Sequence, residues 1–217
     1  MKIILASNSP RRKELLAGLG LDYEVRTLQG LDESYPEGLS MEEIPQYISR
    51  RKAAAYTLKP DELLITADTI VYLDGEVLGK PVDETDAKQM LQKLSGKTHQ
   101  VVTGVTLRTL LNLPLKGRLA EQDSLPLREG RGGSFFSFAS VSQVTFAELS
   151  EAEIDYYVTH YRPLDKAGAY GIQEWIGYIG VTRIEGSYFN VMGLPVQRLY
   201  AEMKKLKLTP LTLFRGK

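Results

Sequence analysis

The chain has 217 residues, and its 27 basic and 27 acidic side chains leave no net charge, which argues against non-specific binding to long nucleic acid. It has no cysteine and only two histidines, which excludes disulfides, thiolate metal sites and a cysteine nucleophile and argues against a histidine-rich metal site. The apolar segments are too short to span a bilayer and the first residues do not form a signal-peptide pattern, so we expect a cytoplasmic protein without a membrane partner.

Short apolar runs alternate with helical patterns along the chain, which predicts an α/β fold. Asp74-Gly75 is typical of a hairpin turn. Thr85 is the expected N-cap of one helix, and Ser150 begins another, with Glu153 at the capping-box position. We expect strands at 2–6, 22–27, 63–67, 70–73, 100–107 and 141–146, helices at 10–18, 41–58, 85–94, 150–159 and 195–206, and a further element at 175–184.

The segment 108–139 interrupts this alternation. It combines prolines and glycines with scattered charges and has no steady period. We predict a long surface excursion between two paired strands. It is either a lid or an insertion tolerated in a hairpin, and the slow growth of loop-closure entropy with length favours the insertion.

The first strand leads directly into a basic helix start. Ser9 suits an N-cap and Pro10 the first helical position. Free backbone N–H groups and the positive end of the helix dipole favour an anion there, and Arg11 and Arg12 add planar groups that match phosphate. The alternative is a surface turn with two solvated arginines.

Asp68 is a carboxylate inside an otherwise apolar strand pattern. Burying an unpaired charge is costly, so this residue is expected to be paired or used, as a general base on water or as a metal ligand. The alternative is an exposed Asp that begins a turn. The apolar flanks favour a functional role.

Several other polar residues carry weaker signals. Lys52 lies in a basic run that is typical of a solvated helix face, and Glu33 lies in a polar loop. Lys80 follows a glycine and precedes a proline, which stiffens its loop. His99 suits either a general base or a hydrogen bond within a turn, and the second is more common. Gln173 can both donate and accept, which suits the reading of a base edge.

These residues fall in segments that together resemble the Maf family of nucleoside triphosphate pyrophosphatases over nearly the whole chain. The segments are Ala6-Ser7-Asn8-Ser9-Pro10-Arg11-Arg12, Asp32-Glu33, Lys52-Ala53, Ala67-Asp68-Thr69-Ile70-Val71, Gly79-Lys80-Pro81, Leu94-Ser95-Gly96-Lys97-Thr98-His99-Gln100-Val101, Asp165-Lys166-Ala167-Gly168-Ala169-Tyr170-Gly171-Ile172-Gln173 and Gly186-Ser187-Tyr188-Phe189-Asn190-Val191-Met192-Gly193-Leu194-Pro195.

The resemblance implies a housecleaning enzyme that hydrolyses a nucleoside triphosphate to the monophosphate and pyrophosphate with a divalent cation, Mg²⁺ or Mn²⁺. It also implies a single domain over 1–217, with two lobes around a cleft and the surface insertion at 108–139. The implied fold is a long, mixed, twisted sheet flanked by helices, similar to that of the inosine triphosphate pyrophosphatases. The family is usually homodimeric.

The resemblance also assigns roles to residues. It implies that Asp68 is the general base and that Glu33 is required, with both acids as metal ligands. It places Lys52 and Lys80 at the phosphates. Substrate binding is expected to involve Ser7, Arg11, Arg12, Thr69 and Gln173.

The residues Arg11, Thr69 and Gln173 match the branch of the family that prefers dTTP and UTP. The chain departs from the family pattern in the 108–139 insertion, in 159–163, and in Glu174-Trp175 after Gln173. These departures concern the rim of the pocket and its exact base selectivity.

Two other functions are consistent with parts of the sequence. One is a nucleotide-binding regulator of septum formation with little catalysis, which the intact acids and lysines argue against. The other is a nucleic-acid-binding module that uses Arg11 and Arg12, which the zero net charge argues against.

Overall fold

A computed structural model describes residues 1–111 and 133–206. The strands are β1 (Lys2–Leu5), β2 (Tyr23–Val25), β3 (Glu62–Leu73), β4 (Glu76–Leu78), β5 (Thr98–Thr109), β6 (Ser134–Phe146) and β7 (Val181–Glu185). The helices are α1 (Pro10–Ala17), α2 (Glu43–Ala54), α3 (Glu84–Leu94), α4 (Glu151–Tyr161), α5 (Trp175–Gly180), α6 (Tyr188–Val191) and α7 (Val196–Lys205), with a short 3₁₀ turn at Ala167–Ala169.

The described strands form one mixed sheet in the order β2-β1-β3-β5-β6-β7, and β4 pairs with β3 off this path. β1 runs parallel to both β2 and β3, whereas the pairs β3–β4 and β6–β7 are antiparallel. The expected α/β fold, with a long mixed sheet and flanking helices, is therefore confirmed.

The chain divides into two compact units. Within the described residues, the first comprises 1–68, 104–111, 133–139 and 194–206, and the second comprises Thr69–Thr103 and Ser140–Gly193. No helix in the described part of the chain is long and apolar enough to cross a membrane.

The end of α2 is fixed within the first unit. Tyr56 and Leu58, just past the helix, are buried with Ala53 against Ile4 of β1 and Leu64 of β3. Burial of a Leu or Ile side chain stabilises the fold by roughly 1.5–3 kcal/mol. This packing fixes the last turn of α2 relative to the strands, and that turn carries Lys52.

Arg108 contributes to the same packing. The prediction placed it at the start of a surface excursion, but it is 1% exposed and lies in β5. Its Nη1 donates to the carbonyl oxygens of Ala53 at 2.8 Å and Tyr56 at 2.7 Å. The cation thus satisfies carbonyl groups at the negative end of the α2 dipole.

The two strands that bound this excursion are longer than predicted. β5 continues to Thr109 and β6 begins at Ser134, so both ends of 108–139 lie in strands. The remainder of the predicted excursion, 112–132, lies outside the described residues.

The structure confirms the predicted hairpin turn and one of the two predicted helix N-caps. Asp74 and Gly75 have φ values of 50° and 91° and join β3 to β4, as expected for a tight hairpin. Ser150 and Glu153 form the capping box of α4. The predicted N-cap Thr85 is wrong, because α3 begins at Glu84 and the Asp83 side chain accepts from the Asp86 N–H.

Candidate active site

Asp68 lies inside a continuous strand. The expected interruption between 67 and 70 is absent, because β3 runs unbroken from Glu62 to Leu73. Asp68 is 8% exposed. The alternative of an exposed Asp at a turn is therefore wrong, and a buried carboxylate at this position requires a partner.

Lys52 supplies that partner from the last turn of α2. Its Nζ donates to Asp68 Oδ1 at 2.7 Å and lies 2.8 Å from Glu33 Oε1. The Lys52 and Asp68 side chains are each 12% exposed, whereas that of Glu33 is 45% exposed. One ammonium group thus contacts both of the carboxylates to which the resemblance assigns a role. The interpretation of Lys52 as part of a solvated helix face is wrong.

Arg12 adds a second cation to this cluster. Its Nη1 donates to the carbonyl oxygen of Ala67 at 2.9 Å, directly before Asp68. Burial lowers the pKa of Arg12, the charges of Asp68 and Glu33 raise it, and that of Arg11 lowers it. A guanidinium stays protonated in proteins, so α1 places a fixed positive charge close to Asp68.

The first turn of α1 has an unusual charge distribution. It holds Arg11 and Arg12 and no acidic residue. Cations are unfavourable at the positive end of a helix dipole, and an anion bound there would relieve this cost. Ser9 occupies the N-cap position without a side-chain capping bond, and its N–H donates to Oγ of the buried Ser7 at 3.2 Å.

Arg51 holds the loop that carries Glu33. Its Nη2 donates to Asp32 Oδ2 at 2.9 Å, and its Nη1 donates to the Ser34 carbonyl oxygen at 2.9 Å. Hydrogen bonds from Ser34, then that from Arg51, lower the pKa of Asp32 to about 2. Sequence reasoning missed Arg51, because a basic run on a helix does not reveal which of its members reach a loop.

In the second unit, Thr69 is oriented by a chain of hydrogen bonds. Thr103 Oγ1 donates to the Asn190 carbonyl oxygen at 3.1 Å and lies 3.0 Å from Thr69 Oγ1. Because a hydroxyl has one hydrogen, Thr69 is the donor in its pair with Thr103. Asn190 is fully buried and donates from Nδ2 to the Val101 carbonyl oxygen at 3.0 Å.

Lys80 is exposed on the loop after β4. The preceding residue, Gly79, accepts at its carbonyl from the Gly168 N–H at 3.0 Å, which ties this loop to the segment that leads to Gln173. Gly168 has a φ of 68°, and a Cβ there would lie 2.8 Å from a methyl group of Val71. Glycine is therefore required at this contact.

Gln173 is half-buried in the same unit. Its Oε1 is buried and accepts no hydrogen bond from the described residues. A buried acceptor without a donor costs free energy unless a ligand supplies the hydrogen.

His99 is a packing residue. It lies in β5 and is 1% exposed, its Nε2 is 2.7 Å from the Tyr170 hydroxyl, and burial lowers its pKa to about 4. The general-base interpretation finds no support in this environment. The expected turn is also replaced by a strand.

Of the predicted site residues, the first unit brings together Arg12, Glu33, Lys52 and Asp68. Arg11 precedes Arg12 in the first turn of α1, and Ser7 accepts a hydrogen bond from the N–H of the N-cap residue Ser9. Thr69, Lys80 and Gln173 lie in the second unit.

The described residues contain no group of three or more His, Cys, Asp or Glu side chains that could hold a metal ion. Two carboxylates, however, meet at Lys52. Mg²⁺ is commonly bound by one or two carboxylates together with phosphate oxygens and water, so Asp68 and Glu33 fit a cation that arrives with a phosphate ligand.

Comparison with known proteins agrees with the resemblance. The Maf-like protein family matches residues 2–206. A dTTP/UTP pyrophosphatase of Phocaeicola vulgatus is 63% identical over 207 residues, which are 94% of this chain and 96% of its own. A protein of the same name from Bacteroides fragilis is 58% identical over 94% of this chain and 96% of its own length. One from Porphyromonas gingivalis is 50% identical over 94% of this chain and 93% of its own length. A solved dITP/XTP pyrophosphatase of Mycobacterium abscessus covers 99% of this chain and all of its own at 18% identity and a TM-score of 0.40, a likeness too weak to support an inference.

Proposed function

This chain belongs to the Maf-like protein family, and we propose that it is a nucleoside triphosphate pyrophosphatase that hydrolyses dTTP and UTP to the monophosphate and pyrophosphate. The names of its relatives support this substrate class. The observation that carries the proposal is the contact of Lys52 with both Asp68 and Glu33. The relatives do not favour a regulator without catalysis.

The cations bind the triphosphate. Arg12 is held beside Asp68, and Arg11 lies in the same helical turn, where an anion also offsets the helix dipole. Lys52 and the exposed Lys80 add two further positive charges for the phosphates. Together these groups stabilise the negative charge that develops on the leaving pyrophosphate.

Asp68 takes the proton from the attacking water. Lys52 donates to Oδ1, so Oδ2 is the oxygen that accepts this proton. The resulting hydroxide attacks the α-phosphorus, and the bond from that phosphorus to the bridging oxygen breaks. General-base assistance of this kind contributes roughly 10²- to 10⁴-fold to the rate.

A divalent cation, Mg²⁺ or Mn²⁺, is part of the proposal, with Asp68 and Glu33 as its protein ligands. When bound, such a cation polarises phosphate oxygens and offsets their charge. Lys52 contacts both carboxylates in the ligand-free protein, so it keeps them close together. We also propose a cytoplasmic location and a homodimer, which the resemblance implies.

Thr69 and Gln173 read the base. The amide of Gln173 offers a donor and an acceptor, which match the imide edge of uracil or thymine. Gln173 Oε1 is buried and accepts no hydrogen bond from the described residues, as expected of a group reserved for a ligand.

The test is a panel of the canonical nucleoside triphosphates, incubated with the purified protein and Mg²⁺ or Mn²⁺. Pyrophosphate and orthophosphate are measured separately, without added pyrophosphatase. We expect pyrophosphate with the highest kcat/KM for dTTP and UTP. Orthophosphate as the first product would overturn the proposed reaction, and a preference for GTP would overturn the proposed substrate.

A further inference from the structure

We propose that Glu174 is a positioning residue that fixes the amide of Gln173 with its oxygen toward the N–H of a uracil or thymine ring. The inference rests on the proposed function and deepens it. Discrimination requires a fixed amide, because a half-turn of the Gln173 amide exchanges its donor and acceptor. A freely turning amide would match the edge of cytosine as well as that of uracil.

The backbone before Gln173 is held by Tyr157. Tyr157 is buried. Its hydroxyl donates to Glu174 Oε2 and accepts from the Gly171 N–H at 3.0 Å. The Glu174 N–H in turn donates to the Gly171 carbonyl oxygen at 2.9 Å. The Tyr157 hydroxyl thus contacts both ends of this turn, the backbone of Gly171 and the side chain of Glu174.

The Glu174 carboxylate is also fixed from its other side. Lys166 Nζ lies 3.2 Å from Glu174 Oε1 and donates to Asp165 Oδ1 at 2.8 Å. The Lys166 side chain is 8% exposed, so this ion pair is shielded from solvent. Loss of the charge on Glu174 leaves Lys166 paired with Asp165, so the fold has a remaining partner for the buried ammonium.

Gly171 shows that the two side chains border the same space. A Cβ on Gly171 would lie 2.9 Å from Glu174 Oε2 and 3.0 Å from Gln173 Nε2. The carboxylate and the amide nitrogen therefore face the same point in space. A negative charge there favours the NH₂ end of the amide and disfavours its oxygen.

Consequently Gln173 Oε1 is turned away from Glu174, buried and without a hydrogen-bond donor among the described residues. The ligand group that satisfies it is an N–H. Uracil and thymine carry a hydrogen on N3 next to the O4 acceptor, whereas cytosine has an acceptor at N3 next to its amino donor, so the order of donor and acceptor is reversed. Glu174 thereby selects the imide bases.

The experiment compares kcat/KM for UTP and CTP in the full-length protein and in Glu174→Gln. This substitution keeps the size of the side chain and an acceptor for Tyr157 while removing the charge. We expect the UTP-to-CTP ratio to fall about tenfold, the scale of one misdirected hydrogen bond. Glu151→Gln, an exposed acid on α4, is the matched control and should keep the wild-type ratio.

A double-mutant cycle separates positioning from general damage. In a Gln173→Ala background, Glu174→Gln should leave the UTP-to-CTP ratio unchanged, because there is no amide left to orient. Tyr157→Phe, which removes one hydroxyl, should also lower the ratio. Tyr161→Phe, whose ring stacks on that of Tyr157, is its control.

An equal fall in kcat/KM for UTP and CTP in Glu174→Gln and Tyr157→Phe would overturn the positioning role and leave the proposed reaction standing. A persistent effect of Glu174→Gln in the Gln173→Ala background would overturn it too. If Glu174→Gln does not fold, Tyr157→Phe decides by the same ratio. Wild-type protein that cleaves neither nucleotide contradicts the proposed function itself.

Discussion

Lys52 Nζ lies 2.7 Å from Asp68 Oδ1, and a second carboxylate, Glu33 Oε1, lies 2.8 Å from the same nitrogen. The three groups come from α2, β3 and a loop far apart in sequence. Lys52 and Arg12 together balance the charges of the two carboxylates. The carboxylates are therefore paired within the protein, and they are also ligands of the type that Mg²⁺ takes together with phosphate oxygens.

Asp68→Asn should abolish detectable turnover while the protein stays folded. The amide keeps the size of the side chain but neither takes a proton from water nor holds a cation strongly. Steady-state kinetics with dTTP, together with a thermal melt, measures both properties. Asp61→Asn, exposed just before β3, is the control. A kcat above about a tenth of wild type, a barrier change under ~1.4 kcal/mol, would rule out the base role.

Lys52→Met should lower kcat by about 10²-fold or more and also destabilise the fold. The substitution leaves Asp68 buried without its ammonium partner, which costs roughly 3 kcal/mol. Turnover of dTTP and urea unfolding at neutral pH measure the two effects. Lys59→Met, an exposed lysine, is the control and should change neither. Full activity in Lys52→Met would show that the cluster is only structural.

Arg51→Met should lower kcat roughly tenfold with little loss of stability. Arg51 holds Asp32 and Ser34, the residues on both sides of Glu33. A displaced catalytic group costs rate, whereas an exposed ion pair contributes at most about 1 kcal/mol of stability. Asp32→Asn removes one of these contacts and should give a smaller effect. Unchanged kinetics in both variants would show that the loop needs no such support.

The sequence predicts turns and helix ends well where they depend on residues that are close together in the chain. The Asp74-Gly75 hairpin and the capping box of Ser150 depend on residues within four positions of each other, and both are confirmed. The apolar run through 63–73 predicted a strand, but the polar pair Asp68-Thr69 suggested an interruption. Tertiary partners, above all Lys52, allow the strand to continue through the acid.

The contacts made across long sequence separations were not predictable. Arg108 lies in a stretch whose composition predicts a loop. In the structure it is buried in a strand, where it donates to carbonyl oxygens 52 and 55 positions away in the sequence. Arg51 and Lys52 are neighbours in one basic run, and only the helical rotation between them sends one to Asp32 and the other to Asp68. A single sequence shows that these charged residues are present, but it does not show which distant residue each of them contacts.

The free energy of unfolding should rise as pH increases from about 4 to about 6.5, in part because of His99. Burial keeps this imidazole neutral and lowers its pKa from 6.5 to about 4, so between these values the unfolded chain binds the proton and the native state does not. This contribution, about 3 kcal/mol, is present in full above pH 6.5 and is lost below pH 4. Urea unfolding at a series of pH values measures this slope.

His99→Gln should flatten the pH dependence in this window. The control is His160→Gln, because that side chain is exposed on α4 and its loss removes no buried neutral ring. A slope that is equally steep in His99→Gln and wild type would contradict the assignment.

The most direct measurement of the central claim is hydrolysis of dTTP in water enriched in ¹⁸O, followed by mass spectrometry of both products. Attack of water at the α-phosphorus, with Asp68 as the base, predicts one ¹⁸O in the nucleoside monophosphate and none in the pyrophosphate. Label in the pyrophosphate, or a nucleoside diphosphate with labelled orthophosphate, would contradict the account.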